Sequence, residues 1–168
     1  MAQHKRLIAA TAAALGLAAA PASASGWTYV KTADRLTNES FAIAEGAPVR
    51  RRGDDDFRVR FECRGGDDFV FALKTRGAPL GGRSFKIEYR IDAGDDRGFR
   101  LRPYANARDG GLNRYEAATL ANELLLGNNV FVRVTGPGKE SLEAEFSLRD
   151  AAGPIAKAAA ACGYGLRP

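Results

Sequence analysis

Histidine is nearly absent from this sequence: His4 is the single one among 168 residues. Once a leader is removed, none is left. That excludes Ser-His-Asp and Cys-His catalysis, and zinc or copper held by imidazole. Cysteine is almost as scarce, with only Cys63 and Cys162. They are too far apart for a C-x-x-C redox pair. A long apolar run is also missing. The longest, Leu7 to Ala20, falls short of the roughly 20 residues that a membrane-spanning helix needs. There is no dominant sign of charge either: 25 Lys and Arg stand against 20 Asp and Glu. Such mixed-sign clusters make nucleic acid a poor partner. No S-x-x-K occurs, and the glycine pairs follow no phosphate-loop spacing.

The N-terminus does carry a pattern. His4, Lys5 and Arg6 form a basic start, Leu7 to Ala20 an apolar stretch, and Ala22-Ser23-Ala24 a small-residue cleavage site. This predicts a signal peptide over residues 1–24 and a periplasmic or secreted protein. Residues 25–168 are expected to form a single β-rich domain, long enough for a real core. Losing Lys5 and Arg6 takes the net charge from +5 to +3. In an oxidising compartment, two lone cysteines are expected to pair, joining Cys63 to Cys162.

The rest is organised around residues 57–76. Phe57, Val59, Phe61 and Cys63 alternate with Arg58, Arg60, Glu62 and Arg64, the period of a strand with one dry and one wet face. Gly65 to Asp68 supply a turn, and Phe69, Phe71 and Leu73 continue the alternation, so a hairpin is expected. Shorter alternations follow Trp27 and Phe41. Gly46 to Asp56 and Asn106 to Gly111 read as loops. Phe85, Ile87, Tyr89 and Ile91 mark the clearest strand. Phe99 and Leu101 mark another, ending near Pro103. Between Arg114 and Leu126 the period changes to that of an amphipathic helix with Ala117, Leu120, Ala121, Leu124 and Leu125 inward. Val130, Val132 and Val134, then Leu142 to Leu148, predict a second hairpin. Pro154, read as the first helical residue, opens a short C-terminal helix ending at Gly163. The predicted class is mainly β: a β-sandwich or half-open barrel of about eight short, mostly antiparallel strands, with one inserted helix and a short C-terminal one.

Chemistry is sparser. Asp92, Asp95 and Asp96 come closest to a calcium loop but lack its spacing, and aspartate in glycine-rich turns is ordinary. Glu62, Glu88, Glu143 and Glu145 sit on wet strand faces, where ion pairs with Arg60, Arg90 or Arg133 explain them better than a carboxylate-pair glycosidase does. Asp54, Asp55 and Asp56 follow Arg50, Arg51 and Arg52 and can neutralise them. Outward arginines, with Arg58, Arg60 and Arg90 foremost, are the candidate partner-binding residues. No catalytic residue, metal ligand or cofactor is expected.

One resemblance runs across residues 27–164. It rests on an early Trp, a strand ending in Cys63, Tyr89-Arg90-Ile91-Asp92, a helix ending Leu-Leu-Leu-Gly, Ala144-Glu145-Phe146-Ser147-Leu148, and the terminal Ala161-Cys162-Gly163. The chain resembles the small exported VasI/TagO-like proteins associated with type VI secretion, and related two-cysteine periplasmic proteins. Tyr164 departs from that pattern, which has Trp there. The resemblance implies a non-enzymatic, soluble accessory protein whose partner is an envelope or secretion protein. The alternatives are an envelope-glycan hydrolase with paired carboxylates and an anionic-ligand or inhibitor module.

Overall fold

The computed structural model describes residues 26–52, 57–75, 85–103, 109–136 and 141–166. The expected leader, the triple aspartate, Arg76 and the connection before Phe85 lie outside them. Ten strands and two helices follow in order: β1 (Trp27–Ala33), β2 (Ser40–Gly46), β3 (Arg50–Arg52), β4 (Phe57–Arg64), β5 (Asp68–Thr75), β6 (Phe85–Ile91), β7 (Arg97–Pro103), β8 (Asp109–Leu112), α1 (Arg114–Leu124), β9 (Asn129–Thr135), β10 (Ser141–Ser147) and α2 (Ala152–Ala161). The protein is mainly β, as its alternations predict. Two strands exceed the expected eight: β3 and β8 fall where the sequence reads as loop. The arginines of β3 and the glycines of β8 carry no apolar alternation, so pairing with a neighbour alone makes them strands.

All pairings are antiparallel, in the order β1-β2-β4-β5-β8-β7-β6-β9-β10-β3. Two layers result, not a closed barrel. Sheet A is β1-β2-β4-β5-β8, and sheet B is β7-β6-β9-β10-β3. They join where the end of β7 meets β8, at Arg102 and Gly111. The hairpin β4–β5 has Phe61 opposite Phe71 and Cys63 opposite Phe69. The second expected hairpin pairs Val134 with Leu142.

Alternation puts one apolar face of each layer inside. Phe61 meets Trp27, Phe69 and Phe71 within sheet A, and Phe57 meets Phe146 across the layers, with ring centroids 5.5 Å apart. Trp27 adds a polar tie: its indole N–H donates to the Ser147 carbonyl at 2.8 Å. Gly46 makes room for that ring, since a Cβ there would lie 2.8 Å from it. Helix α1 packs on β5 and β8 through Ala117, Leu120, Ala121 and Leu124. Asn113 opens it with a capping box, accepting from the Tyr115 and Glu116 amides while the Glu116 side chain accepts from the Asn113 N–H.

Helix α2 covers β1, β2 and β4. Pro154 sits in its first turn but third from the start, because the helix begins at Ala152. Cys162, just past its end, is bonded to Cys63 with Cα atoms 5.5 Å apart. The expected disulfide is therefore present, and it fits an oxidising compartment.

Candidate functional site

The outer faces of the two sheets both carry arginine and glutamate side chains at alternate strand positions. On sheet A, the polar half of the β4 alternation meets β2. Arg60 lies opposite Glu45 in the register. Arg58 donates to Glu45 at 3.0 Å, and Arg60 donates to the other oxygen of the same carboxylate. Arg60 also approaches Glu62 at 3.6 Å, and Arg64 donates to Glu62 at 2.6 Å. The result is a continuous chain, Arg58–Glu45–Arg60–Glu62–Arg64. Its middle is dry: the Glu62 side chain is only 7% exposed. Arg60 and Arg64 hold that carboxylate together, and leaving a buried charge unpaired costs several kcal/mol. Arg58 and Arg60, read from the sequence as docking residues, are held inside the protein's own network.

Sheet B offers the same residue types in a looser arrangement. Its outer face runs Arg52–Glu143–Arg133–Glu88 across β3, β10, β9 and β6. The Arg133 guanidinium donates to Glu143 at 2.7 Å and lies over the Phe131 ring. That hydrogen bond holds the Glu143 carboxyl below its ordinary pKa. Lys86 does the same for Glu88. Toward the rims the pairs open: Arg52 to Glu143 is 3.6 Å, Arg50 to Glu145 is 3.7 Å and Arg90 to Asp96 is 3.7 Å. The Arg50 and Arg52 side chains are over 80% exposed. Such pairs contribute little to stability, so partners can replace them cheaply. The third sequence candidate, Arg90, therefore does not converge with Arg58 and Arg60; it belongs to the other layer.

On the same face the β6–β7 hairpin carries an open groove of about 400 Å³, lined by Lys86, Glu88, Asp96, Arg97, Gly98, Phe99 and Arg100. Gly98, opposite Glu88, forms its floor. A Cβ there would sit 2.6 Å from the Ile87 carbonyl oxygen, so no other residue fits this backbone. Two carboxylates line the groove, as a glycosidase would require. However, Lys86 holds Glu88 down in pKa, the reverse of what a proton-donating acid needs.

The hairpin is fixed from beneath. The Tyr89 phenol donates to Glu123 of α1, and Arg97 donates to the other oxygen of that carboxylate at 2.6 Å. Burial, then the Glu123 hydrogen bond, pushes the Tyr89 hydroxyl well above its ordinary pKa. Beside it lies a wholly apolar void of about 20 Å³, without polar partners for a water and too small for a ligand.

Asp92 is a turn residue rather than a cation ligand. Its carboxylate accepts the backbone N–H groups of Asn128 and Asn129, at 3.0 and 2.9 Å, which lowers its pKa. Among the described residues no three His, Cys, Asp or Glu side chains gather to hold a metal. None of the described helices is long and apolar enough to cross a membrane. Sequence reasoning missed Glu123, Gly98 and Arg100. Gly98 left one signal, a glycine inside a strand. Glu123 left none, because its partner depends on how α1 docks.

Fold and surface define a class: a disulfide-tied, two-layer β protein with one locked and one open charged face. No family model, curated protein or solved structure matches the chain.

Proposed function

We propose that the protein is a non-enzymatic accessory protein of the cell envelope, periplasmic after loss of its leader, that docks an acidic protein partner on the outer face of sheet B. The observation that carries this reading is the contrast in pairing. That face holds Arg50, Arg52, Lys86, Arg90, Arg100 and Arg133 against Glu88, Asp96, Glu143 and Glu145, so cations are in excess. Its rim pairs are long and wet. Electrostatic docking uses such charges, which steer encounter and set register. The Cys63–Cys162 bond and the resemblance to VasI/TagO-like proteins support an envelope or secretion setting. Nucleic acid, metal and cofactor have no part in the proposal.

The test is site-specific photo-cross-linking in the host. Probes go at Arg52, Arg90 and Arg100 on sheet B, and at Arg58 on sheet A. One discrete adduct from the sheet B positions, lost in Arg50→Glu/Arg52→Glu and weakened by salt, is expected. Adducts from Arg58 alone, or a hydrolytic activity abolished by Glu88→Gln, would sink the reading.

A further inference from the structure

The groove on the β6–β7 hairpin adjoins a strand edge that no described strand fills. β7 pairs along its length with β6, from Tyr89–Arg97 to Phe85–Leu101. On its other side only Arg102 and Pro103 pair, with β8. From Arg97 to Leu101 no described strand occupies that edge, and no turn or loop hydrogen bond among the described residues reaches it. Arg97, Gly98 and Arg100 are exposed there. Backbone N–H and C=O groups in such a row are a template for one more strand.

We propose that this edge of β7 accepts an extended, acidic segment of the docking partner by strand addition. The inference rests on the reading of sheet B as the docking face and names what docks there. The side chains choose the occupant. On an added strand, the residues opposite Gly98 and Arg100 are two apart, about 7 Å, and both lie on the outer face. Gly98 leaves its neighbour an empty floor, so the residue opposite is bulky and preferably aromatic. Arg100 has no ion-pair partner among the described residues, so the residue opposite it is Asp or Glu. Asp96 repels an acid at the other end of the groove. The same cations repel the matching edge of a second copy, which favours a foreign strand over self-association. Main-chain hydrogen bonds supply affinity, and the alternate side chains supply selection.

The experiment uses the processed, disulfide-bonded chain and a capped peptide, Thr-Val-Glu-Val-Tyr-Val-Thr, which sets Tyr opposite Gly98 and Glu opposite Arg100 when it runs antiparallel to β7, in millimolar titrations followed by amide resonances. Shifts confined to Arg97–Leu101 and β6 are expected. Replacing Glu by Lys in the peptide should weaken binding at least about tenfold. Arg100→Glu should do the same to the original peptide and restore binding of the Lys peptide. Arg100 has no ion-pair partner among the described residues, so the exchange breaks no described contact of the fold. Absence of shifts, shifts on sheet A, or indifference to the charge swap would each overturn strand addition. If the peptide fails while cross-links from Arg52 and Arg90 persist, strand addition falls and the docking face stands. If both fail, the reading of sheet B falls with it.

Discussion

The outer faces of sheets A and B are written in the same alphabet, arginine and glutamate at alternate strand positions, yet only one of them is closed. The difference is position. β4 lies between β2 and β5, so every outward side chain has neighbours on both sides. Its arginines pair with Glu45 and Glu62, whose side chains are 18% and 7% exposed. On sheet B, Arg50, Arg52 and Arg100 sit at the margins, on β3 at one end and β7 at the other, and Lys86, Arg90 and Arg133 on the inner strands β6 and β9 still stand 45–58% exposed. A charged pair in the first setting is part of the fold, and in the second it is available. Composition alone does not separate the two, but place in the strand order does.

The sharpest way to break the comparison is through β4, which carries the ladder outside and Cys63 inside. Cys63→Ser/Cys162→Ser opens a link between residues 99 apart. The chain-entropy account puts the loss at roughly 4 kcal/mol. Urea unfolding of oxidised wild type against the double variant reads it directly. A loss below about 1 kcal/mol would mean that α2 holds its place without the bond. Next comes Glu62→Ala. It leaves Arg60 and Arg64 without their shared carboxylate, and since both arginines keep some water, about 2 kcal/mol is expected. The equivalent change on sheet B, Glu143→Ala, should cost about 0.5 kcal/mol, within the range of surface pairs. Equal losses at Glu62 and Glu143 would erase the distinction between the faces. Trp27→Phe should fall between them, at about 1 kcal/mol for one hydrogen bond between the layers.

How much of this could be read in the sequence follows from which interactions are local. The hairpin β4–β5, the strand at Phe85 and the stripe of α1 are local patterns, and the structure has them. Cys63 and Cys162 were matched by scarcity and compartment. Strands β3 and β8 were not legible, because Arg50–Arg52 and Asp109–Leu112 become strands only by pairing with β10 and β5. The candidate site divided in the same way. Outward arginines were identifiable by alternation. Whether a guanidinium is locked, like that of Arg60, or without an ion-pair partner among the described residues, like that of Arg100, depends on which strand lies beside it. Strand order is a long-range property, and no single strand states it.

The smallest effect concerns acid, and it separates two causes of a lowered pKa. The Asp92 carboxyl is held below its ordinary 3.8 by the amides of Asn128 and Asn129, whereas Glu143 is held below its ordinary 4.5 by the Arg133 guanidinium. In both cases the unfolded chain takes up its proton first as pH falls. Each group's contribution is therefore complete above its ordinary pKa and is lost as pH drops through the lower, folded value. The causes differ in their response to salt, because fixed amides at close range are screened less than an exposed ion pair. Between pH 5 and pH 2, Asp92→Asn should flatten the fall of the unfolding midpoint at both low and high salt. Glu143→Gln should flatten it at low salt and leave it nearly unchanged at high salt. Denaturant titrations of both variants across that range check this. A salt-independent effect of Glu143→Gln would mean that the Glu143–Arg133 pair is as tightly held as the ladder on sheet A, and the open face would then be narrower than its exposed rim suggests.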